Sequence, residues 1–84
     1  MTEIVGVILD CHFFTGYGAV AIIKLSGELR FGDQISVDGH EMAINHMEIG
    51  HKAVQAAKEG DVVGVRLPER VAKGSHVYRV ASGP

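Results

Sequence analysis

The stretch FFTGYGAVAIIKLSGELRFGDQISV, residues 13–37, decides between two kinds of fold. Two glycines flank Tyr17, and a run of branched apolar residues follows at 19–25. Phosphate-binding loops also contain closely spaced glycines, but they need a third glycine at the dinucleotide spacing, or a glycine followed by Lys and Ser or Thr, before a helix. The chain has neither pattern. The stretch therefore predicts strands joined by glycine turns, and we expect no bound nucleotide and no nucleotide hydrolysis.

The rest of the chain repeats the strand signal at near-regular spacing. Branched and aromatic residues between glycine-rich turns predict six strands, at 3–10, 19–25, 34–37, 40–49, 61–67 and 75–80. Asp38-Gly39 predicts a type I′ hairpin turn. The segment 51–59 contains alanines and other helix formers before Gly60, so we predict one short helical turn near 52–59.

The faces and turns of these strands indicate how they pack. In the first strand, Val5, Val7 and Leu9 alternate with Ile4 and Ile8, which predicts apolar cover on both faces. Three strands follow a glycine and a polar residue, a pair that favours a tight turn with a left-handed glycine. The three pairs are Gly32-Asp33, Gly60-Asp61 and Gly74-Ser75. Short strands with such turns predict an all-β domain over residues 1–84, closed into a small six-stranded barrel.

Size and composition limit the domain count and the class of protein. The chain has 84 residues, of which 46% are hydrophobic and 21% charged, as in a single globular domain. It lacks the ~20 consecutive apolar residues of a membrane helix. Its first residues do not have the composition of a secretory signal. Cys11 is the single cysteine, which excludes an internal disulfide and indicates a buried, inert thiol. We therefore expect a cytoplasmic protein that does not contact membranes.

Charge is unevenly distributed along the chain. The formal net charge is −2, because −5 over residues 1–61 is partly offset by +3 over 62–84. Two interpretations stay open. The basic residues either belong to a solvated surface, or they gather into a patch that binds phosphate. The residues concerned are Arg66, Arg70, Lys73 and Arg79.

We find no pattern that indicates catalysis, a cofactor or a metal. The five histidines do not share a regular spacing that would bring three ligands together; they are His12, His40, His46, His51 and His76. Cys11 beside a histidine lacks an orienting third residue. Exposed aromatic residues beside a glycine loop can stack on bases, but we expect Phe13, Phe14 and Tyr17 to pack into the core instead.

Four segments together resemble domain 2 of the translational GTPases, such as elongation factor Tu. They are TGYGAV (15–20), SGELRFGDQISV (26–37), MEIGHKAVQAAKEGDVVGVRL (47–67) and VAKGSHVYRV (71–80). The resemblance implies the antiparallel, Greek-key β-barrel of that domain. The same barrel is similar to the carboxy-terminal part of U32-type peptidases. No GTPase domain accompanies it, so the chain resembles a free-standing elongation factor-like protein without GTPase activity.

The resemblance also implies a binding site. Domain 2 of elongation factor Tu holds the terminal adenosine of aminoacyl-tRNA in a shallow pocket. By position, the resemblance assigns four residues to an RNA-end pocket: Gly16, Val20, Glu48 and Lys52. A glycine would let a base approach the backbone, and a carboxylate would accept a hydrogen bond from an amine or a hydroxyl. Alternatively, the glycines are shared because the turns of the barrel need them.

Two functional hypotheses follow, and neither involves catalysis. The first is a binding module that contacts tRNA or ribosomal RNA, or a translation-related protein. The alternative is a protein-interaction or accessory module for a larger enzyme, such as a U32-type peptidase, or for the ribosome. An enzymatic role, which would need a bound metal, is a third hypothesis.

Overall fold

The computed structural model describes residues 2–16 and 18–80, and these residues are all-β. They form ten strands: β1 Thr2–Phe14, β2 Gly18–Leu25, β3 Leu29–Arg30, β4 Gln34–Val37, β5 His40–Ala43, β6 Met47–Ile49, β7 Lys52–Ala53, β8 Ala56–Ala57, β9 Val62–Leu67 and β10 His76–Val80. Five of the six predicted strands are present; β1 continues four residues beyond its predicted end, and the other ends shift by at most one residue. The sixth, 40–49, is divided into β5 and β6. The described residues contain no helix that could span a membrane.

The predicted closed six-stranded barrel is wrong in strand number and in closure. Eight strands form one curled, antiparallel sheet in the order β5-β4-β10-β1-β2-β9-β6-β7, and β3 pairs with β8 in a second sheet. The edge strands β5 and β7 are not paired with each other in the described part of the chain. The large sheet is thus an open half-barrel. The all-β class and the antiparallel arrangement agree with the prediction.

One hydrophobic core fills the concave side and joins both sheets. Ile8, Ile23 and Val65 from the large sheet are buried with Leu29 of β3 and Ala57 of β8. Alternate residues of β2 and β9 point into this core, and the residues between them face outward. That alternation matters for function, because it fixes which side chains share the outer surface.

The predicted helical turn at 52–59 is wrong, because this segment contains the two short strands β7 and β8. Lys52 and Ala53 pair with β6, and Ala56 and Ala57 pair with β3. The Phe31 N–H donates to the Gln55 carbonyl at 2.8 Å. A segment this short gains little from helix propensity, so pairing with neighbouring strands decides its conformation.

The predicted faces of β1 differ from the structure because β1 contains two bulges. The register shifts between Ile4 and Gly6 on the β10 side, and between Ile8 and Asp10 on the β2 side. Each bulge adds one residue and reverses the alternation beyond it. Val5 and Ile8 are both buried, whereas Ile4 is 49% exposed and Leu9 is 40% exposed.

The predicted glycine turns are confirmed. Gly32, Gly60 and Gly74 all have φ near +90°, the left-handed conformation that favours glycine. In each turn the residue after the glycine donates its N–H to the carbonyl three residues before it, at 3.0–3.2 Å. Asp38 and Gly39 have φ values of 53° and 83°, as a type I′ turn requires.

Candidate functional site

The outer face of β2, β9 and β6 brings two of the predicted site residues together. Across β2 and β9, Val20 lies opposite Arg66, and Ile22 lies opposite Gly64. Glu48 of β6 pairs with the other side of Gly64. Since the residues between them point into the core, Val20, Glu48 and their neighbours share one outward-facing surface.

A shallow concavity lies on this surface and is called the β2–β9–β6 groove. It consists of a depression of about 280 Å³ and an adjoining one of about 160 Å³. Val20, Glu48 and Gly64 line both parts. The larger part also has an apolar side, which includes Ile22 and Val62, and a polar side, which includes His51. Val62 is 45% exposed. The smaller part adds His46 and Arg66.

Gly64 makes the groove open. It lies within β9, between Ile22 and Glu48 on the neighbouring strands, and it leaves the backbone uncovered there. A Cβ atom at this position would meet only Cδ1 of Ile22, at the ordinary contact distance of 3.8 Å. Neither backbone strain nor crowding therefore requires glycine at position 64.

The carboxylate of Glu48 is the acidic group of the groove. His46 Nε2 and Glu48 Oε2 are 2.6 Å apart, a short charge-assisted hydrogen bond when the imidazole donates. This hydrogen bond lowers the pKa of Glu48 below its ordinary value of 4.5. Partial desolvation opposes the shift, and the charges of His46, His51 and Arg66 add to it. Glu48 is therefore an ionised hydrogen-bond acceptor at neutral pH.

The other two residues of the predicted RNA-end pocket do not line the groove. Gly16 lies in the turn after β1, with a φ of +77° and no atoms near the place of a Cβ. Lys52 is exposed on β7, where it pairs with Ile49. The structure thus brings Val20 and Glu48 together and places Gly16 and Lys52 outside.

The four basic residues of the proposed patch do not gather in one place. Arg66 lines the groove. The Arg70 guanidinium lies 5.3 Å from the centre of the Phe13 ring, near the end of β1. Arg79 forms an ion pair with Glu3, near the start of β1. At about 3.3 Å per residue, about 30 Å of strand separates Glu3 from Phe13.

The remaining basic residue, Lys73, and the aromatic residues Phe13 and Phe14 are all exposed. Lys73 is exposed in the turn before β10, next to Gly74, whose N–H bonds to the Ile8 carbonyl at 2.7 Å. Phe13 and Phe14 are 46% and 50% exposed, although the sequence predicted core packing. Tyr17 lies outside the described residues. Among the described residues, no group of three His, Cys, Asp or Glu side chains is arranged to hold a metal ion.

Sequence reasoning missed Gly64, His46 and His51 as residues of the site. A glycine inside a strand pattern is a signal for close approach to the backbone, so Gly64 was detectable in DVVGVRL. His46 was also detectable, because it stands two residues before Glu48 and alternate residues of an extended chain share one face. His51 gave no such signal; it lines the larger depression because it lies in the turn between β6 and β7.

Comparison with known proteins gives one sequence relative and several similar structures. No family model matches the chain. The chain is 40% identical over 65 residues to an uncharacterized protease of Methanocaldococcus jannaschii. The match covers 71% of this chain but only 16% of the length of the protease.

Two solved structures share the fold of this chain. The C-terminal domain of a Geobacillus thermoleovorans protein assigned as a U32 peptidase has a TM-score of 0.77 at 16% identity. That match covers 93% of this chain and 99% of the solved domain. A bacterial selenocysteine-specific elongation factor, EF-Sec, has a TM-score of 0.75 at 23% identity, over 92% of this chain and 14% of the factor. These likenesses show that the chain shares its all-β, barrel-like fold with part of a translation factor and with the C-terminal domain of a protein assigned as a U32 peptidase.

Proposed function

We propose that this chain is a non-catalytic accessory domain of the kind attached to U32-type peptidases, and that it contacts a partner through its outer surface. The observation that carries the proposal is the 40% identity over 65 residues to a protease of which the matched part is only 16%. A match to so small a part of the protease supports an accessory role better than the role of the whole protease. The U32 C-terminal domain supports the same conclusion, because its whole length matches this fold.

The outer surface supports a binding role rather than catalysis. The groove is shallow, and its polar residues are one carboxylate, two histidines and one guanidinium. The carboxylate carries a lowered pKa and therefore stays ionised, which suits hydrogen-bond acceptance better than proton donation. We propose that the domain works in the cytoplasm, where a single cysteine would stay reduced.

Affinity capture from the native cell extract tests this function. The tagged chain is incubated with extract, with and without RNase, and the retained proteins are identified by mass spectrometry. We expect a specific protein partner that survives RNase, and no hydrolysis of casein by the purified chain. Retention of proteins only when RNA is intact would contradict the proposal, as would peptide hydrolysis by the chain alone.

A second candidate function is recognition of an RNA end, for which the grouping of Val20 and Glu48 is the specific observation. Gly64 leaves room beside them for a flat group to approach the backbone. Titration of fluorescently labelled tRNA at low salt tests this candidate. Specific binding should weaken steeply with added salt. Affinity equal to that of an unrelated acidic protein would eliminate it.

A further inference from the structure

We propose that the β2–β9–β6 groove binds an extended peptide segment of a protein partner, with an apolar side chain over Gly64 and a carboxylate two residues away beside Arg66. The inference rests on the proposed accessory function and names the chemistry of the partner. Three observations support it: the shape of the groove, the position of Arg66 relative to Gly64, and the small number of cations in the groove.

The shape of the groove fits an apolar side chain. The uncovered backbone of Gly64 lies between Ile22 on β2 and Glu48 on β6. Val20 and Val62 extend the apolar surface along the strand direction. Val62 is 45% exposed although it belongs to β9 of the large sheet. An exposed apolar surface in a concave site gains free energy when a partner's apolar group covers it.

The spacing between Gly64 and Arg66 matches the spacing of alternate side chains in an extended peptide. Gly64 and Arg66 are alternate residues of β9, so their outward positions are about 7 Å apart. Alternate side chains of an extended peptide have the same spacing. A peptide along β9 that places an apolar residue over Gly64 therefore places the side chain two positions away beside Arg66 and His46, which line the smaller part of the groove. A carboxylate complements the guanidinium there.

Glu48 supplies the contact to the peptide backbone. A carboxylate offers about four lone-pair sites, and His46 uses one of them through Oε2. The remaining sites accept hydrogen bonds, which peptide N–H groups can donate. Because the pKa of Glu48 is lowered, this acceptor persists into mildly acidic solution.

The distribution of cations favours a peptide over a nucleic acid. Binding of a phosphate backbone needs several cations along one track. Arg66 is the one Lys or Arg among the described residues that line the groove. Asp10 of β1 lies opposite Ile22 on the same outer face, and it adds an acid on the β1 side, separated from Glu48 by β2 and β9. One guanidinium next to an apolar surface suits one carboxylate better than a row of phosphates.

The test uses the full chain and the blocked peptide acetyl-Gly-Glu-Gly-Leu-Gly-Glu-Gly-amide. Its leucine has a glutamate two positions away on both sides, so binding does not depend on the direction of the peptide. ¹H–¹⁵N NMR titration should shift the amides of Gly64, Val20 and Glu48. Replacement of the leucine by glycine, or of both glutamates by lysine, should weaken binding at least about tenfold.

Protein variants identify the site. Gly64→Leu should fill the groove and abolish the shifts, while Gly64→Ala should weaken binding less. A cooperative thermal unfolding transition checks that each variant is folded. Arg66→Met should remove the preference for glutamate over lysine in the peptide. Arg30→Met is the matched control, because Arg30 lies on β3 beside Glu28, outside the groove, and it should bind the peptide normally.

Three results would overturn the inference: equal binding of the lysine peptide, shifts that map to another surface, or no shifts at millimolar peptide concentration. A fourth arm adds adenosine monophosphate instead of peptide. Selective shifts at Gly64 in that arm would assign the groove to a nucleotide and favour the second candidate function. An RNase-resistant protein partner would still support the accessory role if the peptide failed, so the two failures are distinguishable.

Discussion

Glycine serves two different purposes at Gly6 and Gly64, although both positions lie within strands. A Cβ at Gly6 would lie 2.7 Å from Cγ2 of Ile23 and 2.8 Å from the carbonyl oxygen of Lys24, closer than such atoms approach. A Cβ at Gly64 would make only an ordinary contact. Gly6 is therefore required by packing at the bulge of β1, and Gly64 is not.

The two positions should respond differently to alanine. We expect Gly6→Ala to lower the free energy of unfolding by about 1–3 kcal/mol, because the new methyl group overpacks the sheet. Gly64→Ala should leave it unchanged or raise it by about 0.4–1 kcal/mol, since alanine restricts the unfolded chain. Urea denaturation of both variants measures the difference. Equal losses for the two variants would show that Gly64 is also constrained by packing.

The Glu48 carboxyl should titrate below pH 4.5. The hydrogen bond from His46 and the nearby positive charges favour its ionised form. Because the folded-state pKa is lowered, the stabilising contribution is present above the unfolded-state pKa and is lost as the pH falls through the folded-state value. ¹³C NMR of the side-chain carboxyl measures the titration directly.

The His46→Ala variant separates the causes of this shift. Without the imidazole, the pKa of Glu48 should rise toward its ordinary value. His76→Ala on β10, away from the groove, is the control and should leave the titration of Glu48 unchanged. A Glu48 pKa that is the same in the wild type and in His46→Ala would contradict the assignment of the hydrogen bond.

Among the elements, the turns could be predicted from the sequence and the strand faces only in part. Gly32, Gly60 and Gly74 precede strands as expected, because a left-handed glycine is a local requirement. The bulges of β1 could not be predicted, since they depend on β2 and β10. The strands at 52–53 and 56–57 were not predicted, because the alanines of this segment favour a helix. Their conformation is set by pairing with β6 and β3.

The turns into β4 and β9 use an additional side-chain contact. The Arg30 N–H donates to Asp33 Oδ2 at 2.8 Å, and the Lys58 N–H donates to Asp61 Oδ2 at 3.0 Å. We expect Asp61→Ala to lower the free energy of unfolding by about 1 kcal/mol, as for the loss of one such hydrogen bond. Asp61→Asn keeps an acceptor oxygen and should lose less. Chemical denaturation compares them, and equal losses would mean that charge rather than the hydrogen bond matters.

At the scale of the whole molecule, the resemblance predicted only part of the groove. It assigned four residues to one pocket, of which Val20 and Glu48 lie together and Gly16 and Lys52 lie outside the groove. The split of charge along the chain did not predict a surface patch, because Arg70 and Arg79 lie near opposite ends of β1. Sequence position says little about surface position when strands cross the full length of the molecule.

The two sheets should unfold as one unit. Leu29 of β3 is fully buried in the core that the large sheet encloses. Leu29→Ala should therefore lower the free energy of unfolding by about 2–5 kcal/mol, with a single transition. Leu9→Ala, at an exposed position of β1, is the control and should cost less than about 1 kcal/mol. Separate transitions for far-UV and near-UV circular dichroism would show that the β3–β8 pair melts independently.

The pairing of Thr2 with Val80 has a consequence for engineering. Opposed residues of an antiparallel ladder have Cα atoms about 5 Å apart, so the two outermost paired positions of the β1–β10 ladder are neighbours. A brief glycine-serine bridge joining them would permit circular permutation, with new termini opened at the exposed Asp38-Gly39 turn. The same proximity would allow the domain to be inserted into a surface loop of a host protein without separating the two ends of that loop.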